Sequence, residues 1–444
     1  MQELIERVRG YMRREMPAQI GAPCVFAASG GADSSALVAL LCEGRLVDAR
    51  RSVVAHFDHR LRGDAAAADD RAAVEALARR MGVPLVVGYW DRPRPGEDAA
   101  RRARYAFLAR VAANHGFACV MTGHTWDDQA ETVLMRAMRG AGVHGLRGML
   151  PDAPLPVALA DERTSGLRVR RPLLCLSREE TRGWCVTRGI EFIDDPTNDN
   201  TALLRNRVRH ELLPRLERAQ PGIAGALVSV AGAARSIAAA LDAKAMRAIV
   251  DETREMVVMD RAVLRGCGRH VAAAAFRAAL GRLLGDAREY EARHYRLMAA
   301  AVDAHAGMTL DLPRGVRCFI DRATVTLSAG PLRAPEIPPD MAAPLPFAGE
   351  VGAWRLHVRT GGPLSLPPDA VVRRRRPGDR LRLPHGGTKK LQDELVDRGV
   401  PRRLRDAMPV IARHGDVLWT PVSRIATWAG DGEGHTIDAE RRVG

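Results

Sequence analysis

At 444 residues, with 46% apolar and 27% charged positions, the chain is too long for one ordinary core and too mixed for a disordered or fibrous protein, so two or three domains are expected. No run of about 18 uncharged apolar residues argues for a membrane span, and the N-terminal MQELIERVRGYMRREM alternates charged and apolar residues at helical spacing instead of forming a signal-peptide core; the reading is a cytoplasmic protein with no membrane partner. The net charge of +14 suits a polyanion, although 64 of the 67 basic residues are Arg, a bias that a GC-rich genome also produces.

From Cys24 onward, short apolar runs alternate with amphipathic stretches. CVFAAS (24–29), SVVAHFDH (52–59), LVVGYW (85–90) and CVMTGH (119–124) predict buried strands, with helices near 34–42, 65–81, 97–115 and 126–138. This alternation predicts an α/β domain of the Rossmann type: a parallel sheet with right-handed crossovers and helices on both faces. Ligands of such sheets bind at the carboxyl ends of the strands. MLPDAPLP (149–156) breaks the pattern, after which a helix opens at Ser177 with Glu179 and Glu180 in its first turn. Residues 217–305 are rich in Ala, Leu and Arg at helical period, and β-like runs (RCFIDRATVTLSA) follow. The Pro- and Gly-rich stretch 330–368 reads as a linker before a small basic α+β module. The expected domains are therefore 1–216, a mainly helical 217–330, and 369–444. Seven scattered cysteines (24, 42, 119, 175, 185, 267, 318) show neither CxxC nor zinc spacing, so no metal site is expected from them.

Ser29-Gly30-Gly31-Ala32-Asp33-Ser34 lies where the first strand ends and a helix begins. Two glycines let the backbone approach an anion, and the helix presents free N–H groups to phosphate. Ser29 and Ser34 add hydroxyl donors. Asp33 would repel a polyphosphate unless it accepts from a ribose or substrate donor, or helps to hold a cation such as Mg²⁺. The loop is neither a Walker A sequence nor GxGxxG. It resembles the SGGxDS (PP-loop) of the ATP pyrophosphatases, which implies that Ser29, Gly30, Gly31, Ala32, Asp33 and Ser34 bind ATP.

Three further clusters stand where elements end. His56-Phe57-Asp58-His59-Arg60-Leu61-Arg62 follows the second strand. Gly123-His124-Thr125-Trp126-Asp127-Asp128-Gln129-Ala130-Glu131-Thr132 follows the fourth, and Asp128 and Glu131, three apart, share a helix face. Two carboxylates there suit an ammonium ion; solvated helix-face acids are the plainer alternative. Asp195-Pro196-Thr197-Asn198-Asp199 leads into Arg205-Asn206-Arg207-Val208-Arg209, where Arg205 and Arg209 share a face and a salt-bridged structural helix is the alternative. Together with Arg104-Tyr105 on the preceding helix, these clusters resemble the tRNA(Ile)-lysidine synthetase family over 24–216 and 372–428. Asp58 and Arg60 depart from the usual Asn and Gly.

That resemblance implies that Asp128 and Glu131 bind the substrate lysine, with Asp128 as base. It also implies that His124 lies next to the nucleotide, that Arg104 faces the reacting phosphate, and that Arg205 and Asn206 lie near tRNA. Asp33, Arg104, His124 and Asp128 are then the catalytic set, and the cofactors are ATP and Mg²⁺. The implied reaction adenylates C2 of the wobble cytidine of a tRNA(Ile) with a CAU anticodon and lets lysine displace AMP, giving lysidine.

Residues 373–405 carry twelve Arg or Lys against four acids, and two of the three lysines, Lys389 and Lys390, lie there. Genome bias does not explain that placement, whereas phosphate-backbone contact does, so Arg373, Arg374, Arg375, Arg376, Lys389 and Lys390 are expected to bind tRNA. A tRNA thiolase of the same superfamily, a small-molecule amidotransferase-type ligase and a non-enzymatic RNA-binding protein are the rivals. A homodimer is left open.

Overall fold

In the computed structural model each apolar run expected as a strand is one: β1 Val25–Ala28, β2 Val53–Asp58, β3 Leu85–Tyr89 and β4 Cys119–Thr122. The structure describes residues 2–60, 64–92, 96–157, 162–164, 166–194, 201–285, 289–330, 337–352, 354–383, 387–400, 402–423 and 433–441. The chain separates into two compact units, Met1–Ala239 and Ala240–Gly444.

In the first unit β5 (Asp152–Pro154) and β6 (Arg168–Arg170) extend the sheet to the order β3-β2-β1-β4-β6-β5, parallel except for β5. The helices are α1 (Gln2–Glu15), α2 (Ala32–Glu43), α3 (Asp64–Met81), α4 (Glu97–His115), α5 (Trp126–Met138), α6 (Val143–Leu146), α7 (Arg178–Thr187), α8 (Leu204–Arg207), α9 (Leu213–Ala219) and the part of α10 (Ile223–Met246) up to Ala239. Apolar on every side, α2 is buried from Ser34 to Leu41 against Val8 and Met12 of α1 and Trp184 of α7. Tyr105, Leu108 and Ala112 of α4 cover the opposite face, over Val25, Val53 and Val120. Strand order reverses direction at β1, which has β2 on one side and β4 on the other. The crevice for a ligand thus lies beyond the carboxyl ends of β1 and β4. Among the described residues, only α10 is long and apolar enough to cross a bilayer by length and composition. Its Arg235 pairs with Glu15 of α1 at 3.3 Å, as in a helix lying on protein.

In the second unit β7 (Ile249–Glu252), β8 (Met256–Asp260), β9 (Met308–Asp311), β10 (Arg317–Ile320) and β11 (Thr324–Ser328) form an antiparallel sheet, order β7-β8-β11-β10-β9. Helices α11 (Arg261–Gly266), α12 (Gly268–Leu284) and α13 (Ala292–Ala301) accompany it, and Phe276, Leu280 and Met298 pack with Val257, Met259, Val325 and Leu327. The β7–β8 hairpin falls inside a stretch expected to be helical; burial in β8 alternates, with Val257 and Met259 inward, a period of two too short to stand out among Ala-rich helices.

The stretch expected as a linker also holds strands: β12 (Ala342–Pro344), β13 (Phe347–Val351) and β14 (Trp354–Leu366). In β14 the Gly361-Gly362-Pro363 run sits at a register shift between Thr360 and Leu364, so it bends the strand instead of ending it. Then come β15 (Val371–Arg374), β16 (Arg380–Arg382), β17 (Thr388–Lys390), α14 (Leu391–Asp397), β18 (Pro409–Arg413), β19 (Asp416–Trp419) and β20 (Glu433–Arg441). They form sheets of order β12-β15-β18-β19-β16-β17 and β13-β14-β20.

Candidate functional site

The phosphate loop turns from β1 into α2 with Gly30 at φ +91, a conformation that favours glycine. The Ser34 hydroxyl stitches the turn, accepting from the Ser29 N–H at 3.1 Å and donating to the Gly31 carbonyl at 2.9 Å. From the far side the Ile193 N–H donates to the Gly30 carbonyl at 2.9 Å. Asp33, in the first turn of α2, accepts from the Thr181 hydroxyl, and Arg178 Nε stands 3.7 Å from its Oδ2. Burial raises the Asp33 carboxyl, against the Thr181 hydrogen bond, to about 6.

After β4 the chain runs directly over this loop. A Cβ on Gly123 would stand 2.7 Å from the Asp33 carbonyl oxygen. Thr125 opens α5, and its N–H donates to Asp128 Oδ2 at 2.9 Å, a reciprocal cap that fixes the carboxylate. Asp128 is 7% and Glu131 1% exposed, so neither is a solvated helix-face acid. Three guanidinium groups converge on them. Asp128 Oδ1 accepts from Nη2 of Arg178, Arg205 and Arg209, each at 3.1 Å. Glu131 Oε1 accepts from Arg178 Nη2 at 3.2 Å and Arg209 Nε at 2.7 Å, and Oε2 from Arg205 Nε and Arg209 Nη2, both at 3.1 Å. Arg205 lies in α8, which runs on into a π-helical turn, Val208–Leu212, that carries Arg209.

Burial opposes ionisation of Asp128, but the charge of His124, which acts only while its ring is protonated, and those of Arg205 and Arg178, with the Thr125 N–H, outweigh it and hold the carboxyl well below the usual carboxylate range. A carboxylate held so low is a feeble base while the arginines stay. His124 bonds Thr122 Oγ1 through Nδ1 at 2.8 Å; burial, helped by Arg171, Arg205 and Arg104, lowers it to about 3, so the ring is neutral. Arg104 is half-buried with its guanidinium 5.6 Å from the Tyr105 ring centroid, and burial and the neighbouring Arg101 and Arg205 disfavour its charge. A phosphate would relieve that crowding.

The sequence did not bring out Thr181, the hydroxyl donor to Asp33, nor Ile193 behind Gly30, nor Arg178. The signal for Arg178 was the Ser177-x-x-Glu180 box that starts α7 and sets Arg178 at the first helical position; what it faces depends on tertiary packing. Asn206 is buried in α8. Asp195 to Asp199 lie outside the described residues. In the last residues of β2, His56 bonds the Ala28 carbonyl at 3.0 Å and Asp58 accepts from the Arg60 N–H at 2.7 Å, while Arg60, just past the strand, lies over the Tyr89 ring; all three serve the strand end locally. Among the described residues no group of three or more His, Cys, Asp or Glu is placed to hold a metal.

A PP-loop domain model matches residues 12–216, which contain this whole site, and the model of a TilS substrate C-terminal domain matches 370–436. The tRNA(Ile)-lysidine synthase of Symbiobacterium thermophilum is 36% identical, with 94% of this chain and 93% of the relative covered. Its namesakes in Geobacter sulfurreducens (34%; 94% and 92%) and Dehalococcoides mccartyi (30%; 99% and 98%) match as fully. The chain belongs to the tRNA(Ile)-lysidine synthase family.

In this family member the basic C-terminal cluster divides by role. Arg373 is 2% exposed; its guanidinium is spent on Asp379, at 2.8 and 2.9 Å, and on the carbonyls of Arg374 and His414. This corrects the expectation that it binds phosphate, because a side chain enclosed on β15 cannot reach one. Lys389 faces Glu394 and Asp397, while Arg374 and Arg375 share Asp406. Arg376 and Lys390 are exposed, and Lys390 stands directly opposite Arg380 across the β16–β17 pair. Like charges in register cost stability, which a polyanion offsets.

Proposed function

We propose that this chain carries out the family reaction with the residues of the switch-point crevice: ATP-dependent ligation of lysine to C2 of the wobble cytidine of a tRNA(Ile) with a CAU anticodon, making it read as isoleucine instead of methionine. The observation that carries the reading is the direct packing of an SGGxDS phosphate loop against a buried Asp128/Glu131 pair, in a chain matching lysidine synthases over nearly its full length. The names of those relatives favour lysine ligation over sulfur transfer by a thiolase.

The cytidine O2 attacks the α-phosphorus of ATP, the bond to the β-phosphate oxygen breaks, and pyrophosphate leaves. The lysine ε-nitrogen then attacks C2, and AMP departs with the oxygen. Ser29 to Ser34 cradle the phosphates, and Arg104 stabilises charge on the α-phosphate and the leaving group. Asp33, one carboxylate beside bound phosphates, fits the usual mode of holding Mg²⁺, whose charge would offset that of the phosphates. His124, neutral, hydrogen-bonds the nucleotide. Asp128 and Glu131 receive the ammonium, and Asp128 takes its proton once freed of the arginines. Arg205 and Asn206 lie toward the RNA, and Arg376 and Lys390, with Arg374, Arg375 and Lys389 at the margin, bind its backbone. The chain works in the cytoplasm.

Nucleotide analysis tests this reading. ATP should yield AMP and pyrophosphate, never ADP, and one AMP should appear for each lysine joined to tRNA. ADP as product, or AMP formation indifferent to tRNA, would overturn it.

A further inference from the structure

The lysine-receiving carboxylates have no room for lysine. An ionised carboxylate offers about four acceptor sites. Asp128 already accepts from three guanidiniums at Oδ1 and from the Thr125 N–H and hydroxyl at Oδ2. Glu131 accepts two bonds at each oxygen. A lysine ammonium brings three donors and one positive charge to a pair that three arginines already saturate, so it binds only after at least one arginine withdraws.

One of the three reaches the ATP site. Arg178 donates Nη2 to Asp128 and Glu131 while its Nε faces Asp33 of the phosphate loop at 3.7 Å. Among the described residues, Arg205 and Arg209 form ion pairs with Asp128 and Glu131 alone. A triphosphate bound on this loop adds several negative charges, and a planar guanidinium binds phosphate bidentately, whereas here the single Nη2 is split between Asp128 and Glu131.

We propose that Arg178 is a positioning residue that keeps the lysine pocket shut until ATP is bound: the triphosphate draws its guanidinium off Asp128 and Glu131, and the vacated acceptors take the lysine ammonium. This rests on the assignment of the pair to lysine. It sets an order, nucleotide before lysine, and guards Asp128 from acting as a base in the empty enzyme. Linkage makes the effect reciprocal, so lysine tightens nucleotide binding by the same factor.

Calorimetry on the full chain, titrating lysine with and without Mg²⁺ and α,β-methylene ATP, which cannot be cleaved at the α–β bridge, reads the coupling. Lysine affinity should rise about tenfold or more with the analogue, and analogue affinity should rise equally with lysine. In Arg178→Gln the coupling should fall below about twofold, with nucleotide-free lysine binding tightened. Arg209→Gln, which leaves Arg178 beside Asp33, should tighten nucleotide-free lysine binding and keep much of the coupling; circular dichroism checks that both variants fold. Equal lysine affinity with and without analogue in the wild type overturns the proposal, as does tightening by tRNA alone. Transfer of labelled lysine to tRNA in the complete reaction tests the pair's assignment to lysine chemistry separately, so the two failures are distinguishable.

Discussion

Gly123 and Asp33 meet so closely that a Cβ on the glycine would stand 2.7 Å from the Asp33 carbonyl oxygen and 2.9 Å from the Ser34 nitrogen. Two motifs ninety residues apart in sequence are thereby one wall, and the obstructing atoms are backbone, which cannot swing aside. Gly123→Ala should therefore shift the phosphate loop, destabilise the fold by about 1–3 kcal/mol and weaken nucleotide binding. Thermal unfolding and analogue binding check it; unchanged values would mean the loop has slack.

Asp33 ionises against burial, at about 6 against a usual 3.8. A carboxyl raised in the fold costs stability above its folded value, and the cost is relieved as pH falls through about 6. Asp33→Asn should thus raise the melting temperature at pH 8, with the gain shrinking toward pH 4, while pyrophosphate release is lost. A melting temperature of Asp33→Asn below wild type at pH 8 would contradict this.

Glu131 carries four of the hydrogen bonds to arginine and is almost without solvent. Glu131→Gln should raise the KM for lysine by about tenfold or more and leave nucleotide affinity within about twofold, since an ammonium loses a charged partner while the phosphate loop does not. Steady-state kinetics with each substrate varied in turn separates the two constants.

In the C-terminal module Arg373→Ala leaves Asp379 charged and enclosed, and should cost about 3–5 kcal/mol. The double substitution Arg376→Ala and Lys390→Ala should leave stability unchanged or slightly raised, since Lys390 no longer faces Arg380, and flatten the dependence of log tRNA affinity on log salt by roughly 0.7–0.9 for each phosphate no longer neutralised. Denaturant unfolding and binding at several salt concentrations distinguish the two classes of Arg.

The catalytic unit was legible because its chemistry follows periodicity: four apolar runs, the glycine loop after the first, and Asp128 and Glu131 one helical turn apart. Arg178 was not, since its partners lie about fifty and a hundred and fifty residues away and only folding makes them neighbours. Composition hid the β7–β8 hairpin among Ala-rich helices, and Gly361-Gly362-Pro363 disguised a bend in β14 as a linker. Charge counting overstated the RNA face because it cannot tell Arg373, turned inward to Asp379, from Arg376 nearby.

What sets the family reaction apart is the joining of lysine to the wobble cytidine of one tRNA. Incubation of the protein with ATP, Mg²⁺ and labelled lysine, beside a tRNA(Ile) transcript with a CAU anticodon and the same transcript with UAU, measures it directly. The CAU transcript alone should take up label, to about one lysine per molecule. Label on both transcripts, or on neither while ATP is still split to AMP, would contradict the account.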